Sequence, residues 1–222
     1  MKIVVLTCDK YSWLVPIFER FYKKNWPDNP YQTIVITETE SSGFGAGDPY
    51  ALDWPVFYTQ GVSWSSGILN YLSTQPDDEK FLLTPEDYII KSPVDTEKVR
   101  RAEELCSGNV GCVRLNVPDK YFKRHAVATN IKHYKEYPLD KPYSMSMQAA
   151  IWQKRYLMDV LRHNEDAWQA ELNGSERLKS LKPKWRVLWT KAWIIDYEPG
   201  GIMLRGRFRL SVVKWALEEL IK

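Results

Sequence analysis

Cysteine is scarce in this chain. Cys8, Cys106 and Cys112 are the only three in 222 residues, an odd count at wide spacing. That excludes a disulfide framework and points to a reducing compartment. There is no C-x-x-C pair, and His125, His133 and His163 are scattered, so the spacing of a structural zinc site is missing. Long apolar runs are missing as well. Six uncharged residues separate Lys2 from Asp9, too few for a signal-peptide core and far too few to cross a bilayer. The expected location is cytoplasmic, with at most peripheral contact at the inner face of the membrane. Charge of one sign is lacking too: 31 Lys+Arg against 28 Asp+Glu leave a net +3, too little to argue for nucleic acid. Internal repeats and low-complexity segments are absent.

Aromatic residues are plentiful. Ten Trp and thirteen Tyr suit stacking on a sugar or a base, and suit an ordinary core equally well. The length fits one domain able to bury a substantial core.

The hydrophobic pattern alternates short buried strands with helices, which predicts an α/β domain. Ile3–Leu6 reads as a strand, and Ser12 as the cap of a helix running to about Lys24, where Trp13, Leu14, Ile17, Phe18 and Phe21 recur at helical spacing. Ile34–Ile36 completes a βαβ unit, expected to be parallel. The Gly-Phe-Gly-Ala-Gly run at 43–47 leads to Asp48-Pro49 with no helix opening, so a dinucleotide fingerprint is rejected. Val56–Tyr58 reads as a third strand and Trp64–Thr74 as a helix. Ser92-Pro93 reads as the start of a helix running towards Cys106, followed by a strand at Val110–Leu115. Asn116–Lys141 reads as irregular, and Tyr143–Met147 as a strand leading into a helix through Leu161. A short helix from Asn164 is expected to stop at Gly174. Arg186–Trp189 and Trp193–Tyr197 read as strands, and Val212–Ile221 as a closing helix.

The centre of this pattern is Lys80–Ile90, where the strand Phe81-Leu82-Leu83 runs into Glu86 and Asp87. Acids at the carboxyl end of a core strand sit where open α/β sheets bind ligands, and Mg²⁺-type ions use one or two carboxylates plus phosphate oxygens. The plainer alternative is a turn cap. Further on, Trp168 and Glu171 are three apart on one helix face. Glu171 is a candidate general base beside a Trp168 platform for a sugar ring; a surface acid and a core tryptophan are the alternatives. Arg205, Arg207 and Arg209 alternate along an extended segment, as a phosphate clamp, a site for an anionic acceptor or an exposed basic edge.

Together these elements resemble the GT-A-fold glycosyltransferases that use nucleotide sugars. The resemblance rests on Pro85-Glu86-Asp87-Tyr88, on Ser146-Met147-Gln148-Ala149-Ala150-Ile151-Trp152, and on Trp168-Gln169-Ala170-Glu171 with Gly174-Ser175, and it spans about residues 1–177. It implies a single GT-A-like domain over 1–222, with a mostly parallel sheet flanked by helices. Residues 1–115 would be the nucleotide-sugar-binding half, and 116–222 the acceptor-side half and tail. It also implies that Glu86 and Asp87 hold a divalent metal (Mn or Mg) and the donor diphosphate, standing in for a D-x-D of which only two adjacent acids are present. Thr7, Asp9 and Glu38 would contact the donor nucleoside, and Gln148, Trp152 and Trp168 would face the sugar and acceptor cleft. Glu171 would be the base of an inverting hexosyltransferase, because Leu172 replaces the last acid of the family's W-G-x-E-D element. The implied partners are a nucleotide-sugar donor and a glycan or lipid-linked acceptor, as in polysaccharide biosynthesis, with no nucleic acid. Because a fold does not guarantee chemistry, the alternative is a non-catalytic nucleotide- or glycan-binding protein.

Overall fold

In the computed structural model of the protein, residues 1–45, 47, 51–117, 120–182, 184–198, 200–204 and 207–221 are described. The elements run β1 (Lys2–Leu6), α1 (Val15–Asn25), β2 (Gln32–Thr37), β3 (Val56–Tyr58), α2 (Trp64–Ser73), β4 (Lys80–Pro85), α3 (Thr96–Leu105), β5 (Val110–Arg114) and α4 (Lys120–Lys123). They continue with β6 (Val127–Ala128), β7 (Tyr134–Tyr137), β8 (Ala150–Gln153), α5 (Lys154–Val160), α6 (Ala167–Ser180), β9 (Arg186–Thr190), β10 (Met203–Leu204), β11 (Arg207–Phe208) and α7 (Leu210–Ile221).

Among the described residues the main sheet has nine strands in the order β3-β2-β1-β4-β8-β5-β9-β7-β6. Pairing is parallel from β3 to β4 and between β5 and β9, whereas β7 and β8 run against their neighbours. Side chains alternate between the two faces with the period of two that a pleated strand imposes. Val4, Leu83 and Trp152 join α2, α5 and α6 on one face. Ile3, Val5, Leu82 and Ile151 join α1 and α3 on the other. The helix α7 forms a further layer outside α1, setting Val212 and Ala216 against Leu14 and Phe21. The α/β architecture, with a mostly parallel sheet flanked by helices, is the one expected from the sequence.

Several local expectations are corrected. Helical winding begins at Asp9 with a 3-10 stretch that feeds directly into α1, so Ser12 is not a cap; its hydroxyl donates to the Asp9 carbonyl at 2.9 Å. The α3 helix starts at Thr96, with the Asp95 carboxylate accepting from the Lys98 amide at 3.2 Å. Ser92 instead donates to Asp196 at 3.3 Å. The 116–141 stretch holds α4, β6 and β7, which extend the sheet edge beyond β9. Tyr143–Met147 is not a strand, because side chains take its backbone groups. Arg114 donates to the Tyr143 and Ser144 carbonyls, and the Met145 and Met147 amides donate to Ser175 and Glu171. Trp193–Tyr197 is also no strand and contributes only a single bridge, Ile90 to Tyr197. Finally, α6 runs straight through Gly174. That glycine marks a close approach: a Cβ there would sit 2.9 Å from Met145 Cγ and 3.1 Å from Val160 Cγ1.

Gly111 is a sharper case. The β5–β9 register shifts at this residue, and a Cβ would overlap the ring of Tyr156, which α5 holds fully buried. Overpacking of this kind costs about 3 kcal/mol when neither side can move. Gly111→Ala is therefore expected to lower the thermal midpoint by about 10 °C, read by circular dichroism melts. An unchanged midpoint would mean that α5 can slide away from the sheet.

Candidate functional site

The carboxyl ends of β1, β2, β4 and β5 and the start of β8 meet along one edge of the sheet, the position where parallel α/β sheets bind ligands. At the end of β1 and β2 the loops are stitched together. The Asp9 carboxylate accepts from the Thr39 amide at 3.0 Å and the Thr37 hydroxyl at 3.4 Å, and Glu38 accepts from the Asp9 amide at 3.0 Å. Thr7, Cys8 and Glu38 line a small cavity with Val62 and Trp64. Burial, and then the charges of Glu86 and Glu38, raise the Cys8 thiol above its usual range, which puts this cavity and the end of β4 in one electrostatic neighbourhood.

At the end of β4, the Glu86 amide donates to the Leu6 carbonyl at 3.2 Å, and its carboxyl is hydrogen-bonded to Thr7. Glu86 is only 7% exposed. Burial, and secondarily the charge of Asp87, push its carboxyl up to about 8. Burial pushes Asp87 up to about 7, against the backbone hydrogen bond it accepts from Met203. No cation is among the described groups acting on either acid. The segment 201–203 straps over Asp87: the Ile202 amide donates to the Asp87 carbonyl at 2.9 Å, and a Cβ on Gly201 would overlap the Asp87 carboxylate. Gly201 also has φ +70°, a conformation that favours glycine.

Glu171 arrives from α6 on the opposite side of this edge. Its Oε1 accepts from the Met147 amide at 2.6 Å, and Ser146 donates to it as well. Burial raises its carboxyl above the ordinary range, with the Arg114 charge opposing. Tyr88 follows Asp87 directly in the chain. Its phenol is raised by burial and then by the charges of Asp87, Glu171 and Glu86, so both acidic elements act electrostatically on one side chain. The Tyr88 ring stacks on Tyr197 at 4.5 Å and 9° between planes, and the Tyr197 hydroxyl reaches Gln148 at 3.4 Å.

Gln148 also accepts from Asn116, at the end of β5. Trp152 does not face a cleft. It has no exposed surface and packs in the core beside Tyr156 at 5.7 Å, because it points from β8 to the apolar face. Trp168 is 60% exposed at the start of α6. Arg205 lies outside the described residues, and Arg207 is exposed. Arg209 holds the strap, donating to the Gly201 carbonyl at 3.2 Å and to Glu198 at 2.8 Å.

Sequence reasoning missed Tyr88, Tyr197 and Arg114. Arg114 is buried, with its guanidinium 4.4 Å from the ring centre of Trp189. The available signal was an arginine closing the apolar run Val110-Gly111-Cys112-Val113. The Arg114 guanidinium donates to the Tyr143 and Ser144 carbonyls and so fixes the loop that meets Glu171.

Among the described residues no group of three or more His, Cys, Asp or Glu side chains could hold a metal ion by itself. The pair Glu86 and Asp87 nevertheless suits a divalent ion that arrives with phosphate. Such ions take one or two carboxylates and complete their shell with phosphate oxygens and water, and among the described residues no cation acts on these two acids.

The fold is one shared by GT-A-type glycosyltransferases and related nucleotidyltransferases. TarS of S. aureus matches at a TM-score of 0.54 and 14% identity over 87% of this chain, which spans 36% of that protein's length. A nucleotidyl transferase from Methanothermobacter thermautotroptrophicus, Mth528, matches at 0.57 and 15% identity over 98% of this chain and 99% of its own. Glucosyl-3-phosphoglycerate synthase from Mycobacterium tuberculosis, in complex with Mn²⁺ and UDP-glucose, matches at 0.51 and 8% identity over 99% and 76%. No family model and no curated protein matches the sequence. Among the described residues no helix is long and apolar enough to cross a membrane.

Proposed function

We propose that this protein is an inverting glycosyltransferase that moves a sugar from a nucleotide-sugar donor to a hydroxyl of a glycan or other cell-surface acceptor. The observation that carries the reading is that Glu86, Asp87 and Glu171 all raise the Tyr88 phenol by their charge, with no cation among the described groups acting on the two acids that follow β4. In the proposed reaction Glu171 accepts the proton of the acceptor hydroxyl. The freed oxygen attacks the anomeric carbon from the face opposite the diphosphate, and the bond from that carbon to the diphosphate oxygen breaks. A raised carboxyl pKa brings a base closer to the working pH and strengthens it. Thr7, Asp9 and Glu38 would bind the nucleoside, and the partly exposed Tyr88, stacked on the buried Tyr197, would form one wall of the sugar site. Glu86 and Asp87 would hold a divalent ion, which when bound would neutralise charge on the leaving diphosphate.

A second reading, nucleotidyl transfer, is favoured by the near-full-length match to Mth528. Against it, β1 ends in Thr7-Cys8-Asp9-Lys10, without the glycine-rich basic loop that usually follows the first strand of such enzymes. The test is a thermal-shift panel of UDP-, GDP-, CMP- and dTDP-sugars and of the nucleoside triphosphates, each with and without Mn²⁺. A ligand that binds only the folded state raises its midpoint by mass action. The expected result is a shift for one nucleotide-sugar class, larger with Mn²⁺. Pyrophosphate release from a triphosphate and a sugar phosphate would overturn sugar transfer in favour of the second reading. Donor binding without product on any acceptor would leave a binding protein.

A further inference from the structure

A cavity of about 710 Å³ lies on the sheet face opposite α6, between α3, the turn before β7 and the chain leaving β9. Its volume is within the usual range for small-molecule sites. Lys98, Arg101 and Leu105 line it from α3 at i, i+3 and i+7, one face of the helix. Lys132 and His133 line it from the turn. That turn is held rigidly: His133 has φ +70°, which side-chain-bearing residues rarely adopt, and its carbonyl accepts from the Lys191 amide at 2.9 Å. Beneath these groups Tyr134 and Ile194 are buried in the core of that face, with Leu105 and Ile131 packed against it.

Four basic side chains therefore stand over an apolar floor, and no acid is among the described lining residues. The nearest partners, Asp95 to Lys98 at 3.0 Å and Glu104 to Arg101 at 2.9 Å, form exposed pairs one helical turn away. Pairs of that kind hold their cations by less than about 1 kcal/mol, so both can turn to a ligand. A bare anion would leave the floor uncovered. A wholly apolar ligand would desolvate the basic groups without pairing them.

We infer that this cavity binds a small anionic amphiphile, with a phosphate head held by Lys98, Arg101, Lys132 and His133 and an apolar body lying on Leu105, Ile131, Tyr134 and Ile194. The head belongs either to a freely diffusing phosphate ester or to a membrane lipid. The inference does not depend on sugar transfer, because it concerns the other face of the sheet and is read by binding alone.

The test is isothermal titration of the full chain with decyl phosphate below its micelle-forming concentration, with decyl maltoside and inorganic phosphate as controls. One equivalent of decyl phosphate is expected to bind, at least tenfold more tightly than either control. Arg101→Gln combined with Lys132→Gln removes two charges at surface positions and is expected to weaken binding at least tenfold. Ala192→Trp, at an exposed lining position, fills the space and is expected to do the same. Equal binding of inorganic phosphate or of decyl maltoside, or affinity unchanged in both variants, would overturn the site. Co-sedimentation with phosphatidylcholine vesicles carrying phosphatidate identifies the lipid source. Binding of dispersed decyl phosphate without co-sedimentation identifies the soluble one.

Discussion

Glu171→Gln is expected to lower the turnover of sugar transfer by a factor of about 10²–10⁴, the usual contribution of a positioned general base. The substitution is conservative for the fold. Glutamine keeps an oxygen where Oε1 accepts from the Met147 amide, so the 143–147 loop stays docked on α6. Donor binding, read as the Mn²⁺-dependent thermal shift, should therefore be unchanged while product formation collapses. The wild-type rate should also rise with pH through the carboxyl titration of Glu171, which burial displaces upwards, and the variant should lose that limb. Turnover equal to wild type would remove Glu171 from the reaction and leave it as a staple between α6 and the loop.

The second large effect separates stability from function at one residue. Glu86 holds a raised carboxyl pKa in the fold, up to about 8, against an ordinary value of 4.5. Between those two values the folded protein retains a proton that the unfolded chain releases. Its contribution to stability is thus complete at low pH and is lost as pH rises through the window. Metal-free wild type should melt progressively lower between pH 4.5 and 8. Glu86→Gln removes the buried ionisation and is expected to raise the midpoint at pH 8 by about 5 °C or more, with the difference shrinking towards pH 4.5. The same variant should lose the Mn²⁺-dependent donor shift. A variant less stable than wild type at pH 8 in chelator would show that a cation already compensates Glu86.

The sheet was legible because its strands are buried on both faces and read as short apolar runs: Ile3–Leu6, Ile34–Ile36, Phe81–Leu83 and Arg186–Trp189 all fall within observed strands. Errors concentrate where long-range polar contacts decide the backbone. Nothing local in Tyr143–Met147 announces that Arg114, Ser175 and Glu171 will occupy its amides and carbonyls. Gly174 carries a stop signal locally, and only the approach of Met145 and Val160 reveals it as a contact. At the candidate site, Glu86 and Asp87 stand out by their place after a strand and Glu171 by its spacing from Trp168, but Tyr88 and Tyr197 looked like core. Their stacking follows from a bridge between Ile90 and Tyr197, over a hundred residues apart in the chain.

The antiparallel strand β8 has a consequence for how the chain is born. Residues 150–153 fill the gap between β4 and β5, which do not pair with each other. Until that stretch leaves the ribosome, the two central strands each present an unpaired apolar edge, the kind of surface that templates association between chains. Closing the sheet also demands contacts between residues 80–83 and 150–153, a long loop to gather before any reward, and non-local pairing of this sort folds slowly. Nascent chains that have released β5 but not yet β8 are therefore the form of this protein in most need of a chaperone.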